Sequence, residues 1–216
     1  MQLFRSFLFL FHKYEYIIYK MWKKYFKKHL KRKPREQLVR AFSFCTNKEN
    51  ALDLGAGTLI ESKFLIKKGF KNVVAVDNAP EVKKFVKNFN NKKLVYKNIS
   101  FQEYDYPKNT FDLINSQFSL HLFGKNGFNT FIKKIKNSLK PKGIFVAQFL
   151  GVKDSWNGNL KSATPKASYV FQTKKQALDL LSDLEILEFK EEDEDGKTIL
   201  GVKKHWHIFY FIARKR

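Results

Sequence analysis

Two glycines, Gly55 and Gly57, follow the apolar run ALDL at 51–54 and precede a segment with helical spacing of apolar residues. Glycine accepts left-handed backbone and carries no Cβ, so a loop of this composition can hold a ligand against its own backbone. Asp53 stands inside the run, two residues before Gly55. A carboxylate there repels a pyrophosphate and attracts a cationic amine. A second acid, Asp77, closes the run NVVAVD and lies 20 residues after Gly57. At that separation a carboxylate can accept from both hydroxyls of a ribose lying across the strand ends. The dinucleotide-binding pattern wants a third glycine where Ile60 stands, and another common pattern wants one at Leu59.

The elements that must carry these residues alternate. Strands are expected at 51–54, 72–76, 94–98, 111–115 and 143–149, mostly followed by helical periodicity, the pattern of a parallel sheet covered on both faces. The tail differs: LEILEFKEEDED and HWHIFYFIARK read as a hairpin whose last strand is antiparallel, with the acidic run 191–195 expected as a solvated loop. In such a sheet ligands bind at the carboxyl ends of the strands, where Gly55 and Gly57 fall.

The motifs LDLGAG, VVAVDNAPE, FDLINSQFSLHLF and IKNSLKPKGIFVAQFL, in this order and spacing, resemble those of class I S-adenosylmethionine-dependent methyltransferases. The likeness runs from about residue 36 to the end, and the tail is similar to small bacterial methyltransferases near the tellurite-resistance and thiopurine-type group. It implies an α/β fold: a Rossmann-like, doubly wound, mainly parallel seven-stranded sheet with an antiparallel last strand and helices on both faces. It also implies S-adenosyl-L-methionine as cofactor. By this resemblance Gly55, Ala56 and Gly57 lie against the methionine part, Asp53 reaches its amino group, and Asp77, with Asn78 beside it, holds the ribose. Asn98 and Ile99 flank the adenine, and Ser116 and Gln117 border the transferable methyl. Three units are expected: a hydrophobic extension at 1–20, basic amphipathic helices at 21–48, and the methyltransferase domain at 49–216.

A sulfonium carries an activated methyl, so no nucleophilic side chain is required, and a base is needed only for an acceptor that must lose a proton. Candidates for that base at the carboxyl edge are His205, His121 and Asp154, with His205 expected nearer the substrate and His207 deeper. His205 and His207 lack an evident third partner, so no metal site is expected. The acceptor is expected to be a small molecule. The alternatives are an RNA- or protein-modifying enzyme docking through a basic helix and a cofactor-binding protein without catalysis; the tetrad N/D-P-P-Y/F of many base-amine methyltransferases is absent, the fourth strand ending NSQF.

Composition narrows the setting. The 216 residues hold 42 Lys and Arg against 20 Asp and Glu, a net charge of +22, which points to anionic partners unless it only reflects AT-rich codon usage. Nine of these cations and no acid fall in 20–35, spaced as one face of a helix whose other face carries Trp22, Tyr25, Phe26, His29 and Leu30. A helix of this kind is expected first to cover the edge of a core; its alternative uses are nucleic acid or, with the greasy stretch before it, a peripheral contact of residues 1–30 with a membrane. Arg5, His12, Lys13 and Glu15 interrupt that stretch, so a spanning segment is not expected. Cys45 is the single cysteine, which excludes an intramolecular disulfide and makes a reducing, cytoplasmic setting the expectation.

Overall fold

The computed structural model describes residues 23–157 and 169–216; residues 1–20, the expected extension, lie outside them. A helical stretch at 23–29, α1, is followed by α2 (Glu36–Ser43), β1 (Asn50–Leu54), α3 (Ile60–Lys67), β2 (Asn72–Val76), α4 (Val82–Phe89), β3 (Leu94–Lys97) and β4 (Phe111–Ser116). A 3-10 turn (Leu120–Phe123) leads to α5 (Phe128–Ser138), β5 (Leu139–Gly151), β6 (Phe171–Gln172), α6 (Lys174–Leu180), β7 (Leu184–Lys197) and β8 (Lys203–Lys215).

The strands lie in the order β3-β2-β1-β4-β5-β8-β7, and the two-residue β6 adds to β5. The first five of that order are parallel, and β8 runs antiparallel to both its neighbours. Strand alternation sorts the core into two layers. Ala51, Val73, Leu113, Ile144 and Val146 face Leu38 and Ala41 of α2 and Leu65 of α3, while Leu52, Leu54, Ile114, Phe145 and Phe149 face α5. Gln37 ties α2 down by donating its Nε2 to the carbonyls of Ala147 and Phe211 at 3.0 and 2.9 Å.

The acidic run 191–195 corrects the expected loop. It lies within β7, in register with β8 from Asp193 opposite His207 to Asp195 opposite His205. Carboxylates are poor strand formers alone. Here Lys153, Lys174, His205 and His207 pair with them across the sheet, so the charge is met by neighbours rather than by solvent.

The direction of winding changes between β1 and β4. Their carboxyl ends therefore diverge into a crevice, the place where this architecture binds ligands.

Candidate active site

A cavity of about 360 Å³ fills that crevice. Gly55 and Gly57 after β1, Asp77 to Pro80 after β2, Ile99 to Gln102 after β3 and Gln117 to Ser119 after β4 form its floor and walls, and Tyr25 and Phe26 of α1 lie over it. A smaller cavity adjoins, sharing Tyr25, Phe26, Gly55, Gly57 and Gln117 and bounded further by Arg32, Arg35, Asp53 and Glu61.

The glycine loop is shaped from within as well as by what it holds. Gly55 has φ +74, and a Cβ there would sit 2.6 Å from the Cβ of Ser119. Its bareness thus serves the packing of Ser119, whose hydroxyl donates to the carbonyl of Leu54 at 2.9 Å. Gly57, at φ +48, faces Phe26, whose ring would stand 3.4 Å from an added Cβ. Where the third glycine is missing, Leu59 itself adopts φ 62 and is fully buried. Phe118 is likewise left-handed at φ 54, its ring held under the Arg35 guanidinium at 4.3 Å and against Trp206. Non-glycine residues pay about 1–2 kcal/mol for such backbone, so packing must hold both.

Asp77 joins the two loops. Its carboxylate accepts the backbone N–H of Gly57 at 2.9 Å and that of Ala79 at 2.8 Å. Burial pushes its pKa up, against the pull of the two N–H groups. Asn98 donates to the carbonyl of Asp77 at 3.1 Å and to the hydroxyl of Tyr96, buttressing the β2 end rather than lining the cavity, whereas Ile99 lines it. Asn78 is also on the wall.

Asp53 is buried at the start of the crevice. Parallel pairing sets it opposite Asn115, whose Nδ2 donates to it at 2.8 Å, and Ser62 donates to its other oxygen at 2.5 Å. Burial, then the neighbouring Glu61 carboxylate, raises its pKa to about 7 despite these bonds. Glu61 is itself held by Arg32 in a two-pronged pair at 2.5 Å on each arm. Three polar atoms of residues bounding the smaller cavity are buried and unpartnered: Nε of Arg32, Nε of Arg35 and Oε1 of Gln117. The lining thus leaves two cationic donors and one acceptor unanswered, beside Asp53.

Ala56 bounds this smaller cavity, and Ser116 is fully buried with its hydroxyl 2.7 Å from that of Ser119, under the wall rather than in it.

The base candidates are not brought together at the cavity. His205 sits on the outer part of the β7–β8 ribbon, where Asp195 and Asp193 each hold a ring nitrogen at 2.8 Å. Both nitrogens face acceptors, so the ring is a donor twice over and its pKa is raised, by the bond to Asp195 first and to Asp193 next. His207 is deeper: Nδ1 accepts the N–H of Lys153, so Nε2 donates to Glu191 at 3.1 Å. Asp154 is wholly buried in an ion pair with Lys204, whose ammonium lies over the rings of Trp156 and Trp206 at 4.1 and 4.2 Å. His121 is buried beside Tyr169 and Trp156, and burial followed by the Lys204 charge lowers its pKa to about 3, so it is a neutral ring. Among the described residues no group of three His, Cys, Asp or Glu is arranged to hold a metal.

The contribution of α1 and the turn after it was not foreseen as part of the site. Helical spacing already set Tyr25, Phe26 and His29 on one face; Leu30, expected with them, is 50% exposed. What the periodicity could not tell is that this face covers the glycine loop.

Residues 52–147 match the family model described as "Methyltransferase domain". No curated protein matches the sequence. Among solved structures, TehB from Haemophilus influenzae is 17% identical, with TM-score 0.66 over 85% of this chain and 63% of that one. A methyltransferase dependent on S-adenosylmethionine from Mesorhizobium loti is 15% identical, with TM-score 0.64 over 82% of this chain and 95% of its own. The 1,6-didemethyltoxoflavin-N1-methyltransferase of Burkholderia thailandensis, solved with 1,6-didemethyltoxoflavin and S-adenosylhomocysteine bound, is 17% identical, with TM-score 0.62 over 94% of this chain and 89% of that one. The glycine loop, the acid at the end of β2 and the strand order thus lie in and around the stretch that matches a methyltransferase domain, and the fold is the one these methyltransferase structures share.

Proposed function

We propose that the chain transfers a methyl group from S-adenosyl-L-methionine to a small-molecule acceptor by in-line displacement. The observation that carries this reading is the set of unanswered atoms in the smaller cavity. An amino acid end has a carboxylate for Nε of Arg32 and Arg35 and an ammonium for Oε1 of Gln117 and the carboxylate of Asp53. The larger cavity, with the carboxylate of Asp77 and the apolar side chains of Ile99, Phe101 and Leu122, suits a nucleoside. When bound, the cofactor supplies a methyl already activated on a sulfonium, and the sulfur keeps the bonding electron pair as the methyl leaves.

Tyr25 and Phe26 bound both cavities, and a cofactor space roofed by α1 in this way favours a small acceptor over a macromolecular one. The Burkholderia relative, solved with a small acceptor bound, supports the same reading. Among the described residues around the larger cavity only Tyr25 and Asp77 titrate, and both carboxylate oxygens of Asp77 already accept backbone N–H groups. The chain's role is thus to bind, align and exclude water, and the acceptor atom enters with a free electron pair, as a thiolate or an unprotonated nitrogen does.

The test is a panel of thiols, nitrogen heteroaromatics, phenols, amines and structured RNA incubated with the full chain and labelled cofactor, scored by release of S-adenosyl-L-homocysteine. Turnover with a thiol or a heteroaromatic nitrogen and none with RNA supports the proposal. Turnover with RNA alone, or cofactor binding with no turnover on any member, contradicts it.

A further inference from the structure

Phe26 of α1 and Phe85 of α4 meet edge to face at 5.9 Å, which joins two basic segments into one surface. Residues 23–35 carry eight Lys or Arg and residues 82–97 six Lys, with no Asp or Glu in either. Lys83, Lys84, Lys87, Lys92, Lys93 and Lys97 are all exposed, and none of them pairs with a carboxylate of a described residue. Most acids among the described residues that form ion pairs are spent elsewhere, on the β7–β8 ribbon and α6.

We propose that this α1–α4 face docks on an anionic lipid bilayer. Charge complementarity calls for a polyanion, and four features select a membrane over nucleic acid. The exposed cations are lysines, point charges suited to headgroups, while Arg32 and Arg35, the fork-shaped donors, are turned inward toward the cavity. The exposed apolar residues among the lysines are aliphatic, Leu30 at 50% and Val95 at 43% exposure. The rings of the two segments face in: Phe26 is buried and Tyr25, Phe85, Phe89 and Tyr96 are half-buried, so among the described residues of this face no exposed ring is offered for base stacking. Finally, the chain just before α1 reads LFRSFLFLFHKYEYIIY, an apolar and aromatic sequence adjoining a basic one. An apolar segment beside a polybasic surface is the two-signal composition that gives stable peripheral attachment.

The test is flotation of the full chain with vesicles of 30% phosphatidylglycerol in phosphatidylcholine, against pure phosphatidylcholine, at low and high salt. Binding to the anionic vesicles that weakens with salt is expected. Each lysine near an anionic surface is worth about fivefold, so Lys83→Gln, Lys84→Gln and Lys87→Gln together are expected to weaken it on the order of 100-fold. The three side chains are exposed, so unchanged thermal unfolding of the variant serves as the folding control. Equal binding to neutral vesicles, an unaffected triple variant, or salt-sensitive binding of structured RNA with no vesicle binding would each overturn the proposal.

Discussion

The carboxylate of Asp77 accepts the backbone N–H of Gly57 at 2.9 Å, so the acid that ends β2 fastens the loop that follows β1. The same carboxylate holds Ala79 at 2.8 Å. Asp77→Ala leaves both N–H groups without this partner, at about 1–3 kcal/mol each when buried. We expect a lowered midpoint in urea together with at least a tenfold loss of cofactor affinity. Asp77→Asn, which keeps one acceptor oxygen, should lose less stability than Asp77→Ala. Equal stability of Asp77→Ala and wild type would remove this fastening role.

Gly55→Ala forces a Cβ to 2.6 Å from that of Ser119 and strains a backbone at φ +74. Strain and overpacking together should cost about 2–5 kcal/mol. Ser119→Gly in the same chain relieves the clash but not the strain, so the double variant should recover part of the loss. The cycle is read by chemical denaturation, and strict additivity would show that Ser119 is not what keeps residue 55 bare.

Leu59→Gly exchanges left-handed strain for a cavity. Relief is about 1–2 kcal/mol and the loss of a fully buried leucine exceeds the 2–5 kcal/mol of a Leu→Ala change, so the variant should be less stable by about 2 kcal/mol or more. Leu59 lines neither cavity itself, so cofactor affinity should change less than stability does. A more stable variant would show that strain outweighs packing here.

Asp53 makes cofactor affinity depend on pH. Its pKa in the free protein is about 7, raised by burial and by Glu61, and a bound ammonium favours the ionised form. Affinity should therefore fall about tenfold per unit as pH drops below about 7 and level off above it. For the free protein the sign is opposite. The raised pKa means that this group's contribution to stability is complete below the ordinary carboxylate range and is lost as pH rises through about 7. Asp53→Asn should flatten the binding profile while keeping or raising the melting temperature at pH 8; an unchanged profile would take Asp53 out of the site.

His205→Gln should leave turnover and its pH profile unaltered, because Asp193 and Asp195 hold the ring on the outer ribbon. Its ion pairs raise its pKa. The stability they add is present below the usual imidazole value of about 6.5 and disappears as pH rises through the raised one. The difference in Tm between wild type and variant should thus shrink with rising pH. Loss of turnover in a folded variant would restore His205 as a base.

The parallel strands were legible because strands buried on both faces are short apolar runs bounded by turns, as ALDL and NVVAV are. The glycine loop and Asp77 were legible by spacing. Three things were not. Tyr25 and Phe26 of α1, with Arg32 and Arg35 of the turn after it, bound the site from a segment whose spacing reads first as a core edge and second as a docking surface. Ser119 lies 64 positions from Gly55 in the chain, and no local pattern announces that its side chain fills the space where a Cβ would go. The acids at 191–195 read as loop because their strand depends on partners from β8, the turn after β5 and α6.

Calorimetric titration of the full chain with S-adenosyl-L-methionine, alongside Arg35→Met, tests the cofactor site most directly. One site per chain is expected, with a dissociation constant below about 100 µM, inside the usual range for enzyme ligands. At least tenfold weaker binding is expected when the buried Nε of Arg35 is removed, and little change for the nucleoside adenosine, which lacks the carboxylate. No binding to the folded wild-type chain, or equal losses for the cofactor and adenosine, would contradict this cofactor site.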